Sequence, residues 1–466
     1  MVAGAGGGGA VGALTGRPGR PGEGNSRLPS GLTECMHRVL LFLLVAVAGL
    51  AGAAPAVAAT WSPAAPVPSG ANAGTPSAAI AEDGTEVVAF VDASGIEAGI
   101  RAPGAADFGA PETIAPPAPP GGAVRNLLVV QVPGAETVAL WSVAAPGIPE
   151  RIEWSARPPG AAFGAVHELP RTGLPADAST DMMSASAGAN GDVVLALAAE
   201  GTEPDGRFGL RVYGTVRPAG GEFGNPVTLS ALGSLSPDVA VGPDGDAVVS
   251  WLEGGSTRPG AIRASRRAPG GAFAAPMTLD RTTGPGLAQP FVAAGAGGET
   301  VAMWYRREGS TKRVYFAVRP AGADRFGRRG TLGTAPTRRY ALAGGPSGDV
   351  AVMWDDAGPV LTVRRRAPGH GFAAPVRLSH QPAVRTIAGS ITGDGTLIAA
   401  WQNAFASNRT DLSVAGQAPS GRRTELVRLQ PPAASFVSFS LATGAAGNAS
   451  AAWTLFGRAP RWSARG

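Results

Sequence analysis

The sequence is nearly without cysteine, lysine and histidine. One Cys in 466 residues excludes a disulfide framework and a thiolate zinc site. Lys312 is the sole Lys, and the Arg residues are scattered from Arg17 to Arg465 without a basic run. A nucleic-acid surface would show a basic stripe interleaved with aromatics, so no nucleic-acid partner is expected despite a net charge of +5. Only four His are present, and His167, His370 and His380 stand in no metal-ligand spacing. No Gly-x-Ser-x-Gly elbow and no phosphate loop occurs. Aromatics make up 6% and charged residues 16%. What is abundant is Gly (69) and Pro (42). Each costs a helix interior about 1 and about 3 kcal/mol respectively, which excludes a mainly helical fold. A hydrophobic fraction of 44% supplies enough apolar surface to exclude a disordered chain.

Residues 36–58 read as a secretory signal peptide. Met36-His37-Arg38 is a short positive start, Val39 to Leu50 is nearly all apolar, and Ala56-Val57-Ala58 offers a cleavage site before Ala59. The apolar run is shorter than the roughly 20 residues of a membrane span, with a signal anchor as the alternative. No second run of that length follows, so no stable span is expected after cleavage, and the protein is expected to be secreted or held in the cell envelope. Residues 1–35 are Gly-rich without hydrophobic period, which points to Met36 as the true start or to an unusually long leader.

From residue 59 onward the chain repeats itself. A Gly turn (Asp83-Gly84, Pro133-Gly134, Asn190-Gly191, Asp244-Gly245, Gly297-Gly298, Ser347-Gly348, Asp394-Gly395, Ala446-Gly447) is followed by a large apolar anchor. The anchors are Phe90, Trp141, Leu197, Trp251, Trp304, Trp354, Trp401 and Trp453, 47 to 56 residues apart. An Arg before a Pro/Ala/Gly turn recurs at Arg101, Arg157, Arg217, Arg267, Arg319 and Arg366. A Phe follows each: Phe108, Phe163, Phe223, Phe273, Phe326 and Phe372. The seventh unit lacks both the Arg and the Phe.

Each unit holds four strand candidates, illustrated by Asp238–Val241, Ala247–Trp251, Ala261–Arg267 and Phe273–Leu279. Pro276 in the last suits an outer edge, where a missing N–H is harmless. Four antiparallel strands per unit of about 50 residues is an all-β fold, the β-propeller. Eight anchors predict eight blades, with seven as the alternative if the unit around Leu197 is divergent. The last unit stops one strand short. Thr60-Trp61-Ser-Pro near the start resembles the fourth-strand pattern, with Trp61 in place of Phe, so the N-terminal strand is expected to complete the last blade and close the ring.

The units resemble repeats of exported bacterial β-propeller proteins over residues 60–466, carried by the motif Gly-x-x-Gly-[Asp/Glu]-x-Val-x-x-Trp. In architecture they are distantly similar to sialidase/Asp-box and WD40 propellers, although the Ser-x-Asp-x-Gly-x-x-Trp box is not matched and Trp354-Asp355 is the single Trp-Asp pair of that kind. The fold and resemblance imply an exported noncatalytic binding or scaffold module with a glycan or protein ligand. The alternatives are a sialidase-like glycoside hydrolase or lyase, and a purely structural surface protein. No cofactor and no metal site is expected.

Residues that recur at one blade position are read as structural: the repeated Arg as caps on loop carbonyls, the anchors as interblade core. Asp244 and Asp246 are read as hairpin-turn residues rather than a Ca²⁺ loop. Residues that break the repeat just after the anchor are the candidate ligand contacts: Tyr305, Arg306, Arg307, Asp355, Asp356, Gln402 and Asn403.

Overall fold

The computed structural model describes residues 60–465 except 70–73, 255–258, 296, 336, 338, 357–359, 380–383, 405–408, 425, 434–435, 456–457 and 459. The upstream segments 1–35 and 36–58 lie outside the described residues. Every regular element described is a strand, and the strands form eight separate four-stranded antiparallel sheets. Blade four shows the build: Ser234–Val241, Ala247–Gly254, Gly260–Arg267 and Met277–Thr282, paired in that order. Its first hairpin turns where Gly245 takes φ 85°, a conformation that glycine adopts without strain. The Asp244 carboxylate locks that turn by accepting the N–H of Asp246 at 3.1 Å.

One boundary differs from expectation. Phe273 makes an isolated bridge to Arg267, and continuous pairing of the outer strand starts at Met277 rather than Phe273. Pro276 has no N–H to give, so the ladder forms on its C-terminal side.

The first strand of each blade touches the first strand of the next, including Ser77–Ile80 of blade one against Phe436–Thr443 of blade eight. The ring is therefore closed, with eight blades. Its closure is the expected one. Ala65 and Pro66 pair with Trp462 and Arg461 of the last blade, and Val67 N–H donates to Pro460 O at 2.8 Å. Trp61 bridges Arg465 as Phe273 bridges Arg267, so it occupies the Phe position of the repeat.

The core lies between blades. Trp141, Trp251, Trp304, Trp354, Trp401 and Trp453 are fully buried, and each packs on the apolar face of the preceding blade. Burying one indole removes roughly 200 Å² from water, worth roughly 5 kcal/mol before the entropic cost of folding.

A second seam is ionic. Arg217 Nη1 donates to Glu136 at 2.5 Å, Arg267 Nη1 to Asp192 at 3.2 Å, and Arg319 Nη2 lies 2.8 Å from Asp246. Arg366 pairs with Glu299 in the same way. Each of these four Arg reaches the acidic residue after the Gly turn of the blade before it. The recurrent [Asp/Glu] and the recurrent Arg are thus two halves of one interblade tie. Capping of loop carbonyls also occurs, from Arg101 to Ala105 O and from Arg319 to Ala323 O. In blade seven Gln417 replaces the Arg, and the waiting Asp349 is taken instead by Arg365 of its own blade at 2.6 Å.

Candidate functional site

The second strand of each blade runs antiparallel to the first, so its end meets the start of the inner strand. Leu252 pairs with Leu235, Tyr305 with Ala288, Trp354 with Tyr340 and Asn403 with Val384. Repetition places all these pairs at one end of the ring. There a cavity of about 400 Å³ opens across the inner-strand starts of blades four to seven, at the mouth of the central channel.

β-Bulges shape this mouth. The inner strands are irregular between Leu235 and Asp238, Ala288 and Phe291, and Val384 and Ile387. A bulge re-aims side chains by inserting an unpaired residue. At the first of them Ser236 holds φ 55°, a strained value for a residue with a Cβ.

Two aromatic rings form one wall, Phe291 and Tyr340 in edge-to-face contact at 5.4 Å and 84°. The Tyr340 hydroxyl donates to Gln289 O and accepts the N–H of Tyr305 at 3.3 Å, tying blade six to blade five. Arg339 donates from Nη1 to Val384 O, so its guanidinium bridges blades six and seven. Its own carbonyl accepts the N–H of Asp355 at 3.2 Å. Burial pushes the Asp355 carboxyl above the ordinary value, while a hydrogen bond from Thr337 and the nearby Arg339 charge pull the other way. Arg385 is exposed, and its guanidinium has no partner among the described residues. Gln289 and Thr386 add polar groups. Among the described residues the lining holds two guanidinium groups and no carboxylate.

Below the mouth, the inner strands are laced to one another. Ser77 Oγ accepts Val129 N–H (2.9 Å), Ser184 Oγ accepts Val239 N–H (3.3 Å) and Ser440 Oγ accepts Ala78 N–H (3.1 Å). Asp238 takes the same position in blade four. Its carboxylate accepts Val292 N–H at 2.8 Å from blade five and Ser184 Oγ–H at 2.9 Å from blade three. Burial in the wall raises this carboxyl to about 6, against the lowering effect of those hydrogen bonds.

The seven residues singled out from sequence all lie at this end of the ring, but they point into separate seams. Tyr305 is buried in the core with Trp354. Arg306 is paired with Asp280 of blade four and, at 2.9 Å, with Glu308. Arg307 donates to Gly309 O at 2.9 Å. Asp356 accepts from Thr334 and Thr362. Gln402 is buried, and Asn403 accepts the Trp401 indole N–H at 3.0 Å while donating to Asp411 at 2.7 Å. None lines the cavity, but Tyr305 and Asp355 stand directly behind it through Tyr340 and Arg339. The residues that line it, Gln289, Arg339, Tyr340, Arg385 and Thr386, begin the first strands. Their signal in the sequence is that unit-to-unit variation is also high there, just before the anchor-bearing hairpin.

No protein-family model and no curated protein matches this sequence. Several solved structures are similar in fold. The BP39L lectin from Burkholderia pseudomallei aligns at 15% identity and TM-score 0.47, over 78% of this chain and 100% of the lectin. A NanB sialidase mutant from Streptococcus pneumoniae aligns at 8% identity and TM-score 0.40, over 81% and 83%. An α-L-arabinanase from Penicillium chrysogenum, complexed with arabinobiose, aligns at 12% identity and TM-score 0.38, over 64% and 95%. At these identities the likeness concerns the propeller fold alone.

Proposed function

We propose that this chain is an exported, noncatalytic binding module whose ligand enters the channel mouth between blades four and seven. The observation that carries this reading is a concave lining that, among the described residues, holds two guanidinium groups, one of them unpartnered, and no carboxylate. Such a lining favours a carboxylate, which Arg grips through parallel N–H donors. The Phe291–Tyr340 wall offers an apolar face, and Gln289 and Thr386 offer hydroxyl partners. An acidic sugar presents all three features, so the ligand is a glycan bearing a uronate or similar carboxylate. Tyr305 and Asp355 act as positioning residues behind Tyr340 and Arg339.

Calorimetry of residues 59–466 with glucuronate, galacturonate and neutral glucose tests this. Binding of the acidic sugars, lost in Arg385→Ala and retained in Arg307→Ala, is the expected outcome. Equal affinity for glucose, or an Arg385→Ala variant that binds normally, overturns it. Consumption of an acidic oligosaccharide in the same vessel would move the protein to the hydrolase or lyase class. Export is checked separately: a chain expressed from Met36 in a bacterial host should be recovered outside the cytoplasm with Ala59 at its amino terminus.

A further inference from the structure

The outer rim of the ring is electrically polarised. The same segment of every blade, the connection from third to outer strand together with the outer strand, forms this rim. In blades one to three it spans residues 102–115, 158–168 and 218–228, which hold Asp107, Glu112, Glu168 and Glu222 and no Arg or Lys. In blades five to seven it spans 320–334, 367–377 and 418–433. These hold seven Arg (325, 328, 329, 377, 422, 423 and 428) against Asp324 and Glu425. The rim of blade four carries one charge of each sign, Asp280 and Arg281, and that of blade eight, residues 60–66, carries none. The neutral blades therefore separate the two charged arcs. Blade two and blade six are four positions apart in a ring of eight, so the arcs face in opposite directions.

Much of this charge is not consumed internally. Asp107, Glu168 and Glu222 are exposed, as are all seven Arg. Arg329 is held by Asp280 and Arg428 by Asp411. Arg325, Arg328, Arg377 and Arg422 have no side-chain partner among the described residues. Each arc also carries exposed apolar side chains, Val166 (40%) and Val227 (47%) on the acidic side and Leu426 (39%) on the basic side. Pro226 and Pro375 stand directly before two-residue outer strands, which blocks strand-to-strand pairing along these edges. Contact at the rim is thus left to side chains.

We infer that the basic arc of one copy docks on the acidic arc of a second copy, so that the propeller associates head to tail. A polyanion would account for the basic arc alone. A second copy accounts for both arcs, their opposite placement and the apolar spots on each. The contact is heterologous, so a docked pair keeps one free arc of each sign, one on each copy, and the assembly grows as an open row. Its strength comes from many weak charge pairs, which salt screens within about 10 Å at 0.1 M. The channel mouth lies apart from the rim, and this inference does not depend on it.

Sedimentation velocity of residues 59–466, the compact unit that holds all eight blades and their cores, tests the inference. The sedimentation coefficient should rise with protein concentration at about 20 mM salt and return to the monomer value at about 500 mM. Two triple variants sharpen it. Arg325→Glu with Arg328→Glu and Arg422→Glu makes both arcs acidic; Asp107→Arg with Glu168→Arg and Glu222→Arg makes both basic. Each alone should remain monomeric at a melting temperature close to that of the parent, and an equimolar mixture should associate again. Arg385→Ala should associate like the parent. A parent protein that is monomeric at every concentration overturns the inference, as does association that survives either triple variant. A monomer retained by an acidic polysaccharide column would assign the basic arc to a polyanion instead.

Discussion

Trp154 of blade two meets Phe223 of blade three edge to face, at 5.7 Å and 76°, in the interblade core that also holds the anchor Leu197. By strand register the equivalent third-strand residue is Ala98, Trp154, Gly214, Ala264, Phe316, Val363, Val414 and Trp462 in blades one to eight, and it meets the repeat Phe of the next blade where ring contacts are seen, as Trp462 meets Phe108 and Phe316 meets Phe372. The two Trp in that series lie in the two interblade cores whose anchors are not Trp, Leu197 and Phe90. Each seam therefore receives at least one indole, from one side or the other. The third unit is not a degenerate blade; its missing indole comes from its neighbour. Leu197→Trp should then overfill its seam and cost about 1–3 kcal/mol. Trp154→Ala should leave a cavity and cost about 3–5 kcal/mol. The double variant should recover much of both losses, because it rebuilds the arrangement of the other seams. Denaturant unfolding of the four proteins checks this, and strict additivity of the two losses would disprove the exchange.

Arg319 and Asp246 form a buried ion pair across blades four and five, with side chains 1% and 3% exposed. Removing one partner of such a pair strands the other charge, at a cost of about 3–5 kcal/mol. Arg319→Ala should fall at the lower end, because Arg266 still reaches Asp246 at 2.9 Å. Replacing both with apolar residues, Arg319→Met with Asp246→Leu, should cost less than Arg319→Ala alone. Gln417 in blade seven is the natural precedent, since there the carboxylate of the preceding blade finds its cation elsewhere. A double-mutant cycle by denaturant unfolding decides between the outcomes.

Asp238 sets a pH dependence of known sign. Its carboxyl titrates near 6 in the folded protein and near 3.8 when unfolded. Between those values the folded state holds the proton and the unfolded state does not, so this group favours folding in acid. That contribution is full below 3.8 and is lost as pH rises through 6, a swing on the order of 3 kcal/mol. Asp238→Asn removes the titration and can still accept the Val292 N–H. The melting temperature of the variant minus that of the parent should therefore be larger at pH 8 than at pH 4. A difference that stays constant across this range would mean that the wall is wetter than its packing implies. Asp355, whose carboxyl is also raised, remains in both proteins and drops out of the comparison.

The architecture was legible because a repeat displays its rule eight times. Gly turns, anchors and the Arg–Phe pair recur at fixed offsets, and a strand that is missing at one terminus is present at the other. The site was less legible, for a physical reason. Residues just after the anchor break the pattern, but they sit where strand ends of adjacent blades meet, and there Asn403 and Arg306 satisfy buried or neighbouring groups. The mouth is built one strand earlier, by residues such as Gln289 and Arg385 that lie within bulges. A bulge moves a side chain by one position, and nothing in the local composition of Leu235–Asp238 or Val384–Ile387 announces it.

The seam between the first and last strands is where the ring should open. Blade eight takes its outer strand from residues 65–66, and the segment that carries it is anchored by Val67, fully buried beside Phe90, Phe108 and Trp462. Trp61 packs on the other side, against the cluster that contains Trp453. Removing residues 59–67 would uncover both clusters and expose the third strand, Arg461–Arg465, as a free sheet edge. An uncovered edge pairs with other chains, so the truncated protein should aggregate on warming as well as melt earlier. Val67→Asp keeps the strand but places an unpaired charge in the seam, and should destabilise by several kcal/mol. Trp61→Ala removes a half-buried ring and should have a smaller effect. That rank order, read from thermal unfolding followed by both circular dichroism and light scattering, follows from closure by the N-terminal strand. A truncated protein as stable and soluble as the parent would mean that the interblade cores hold the ring without it.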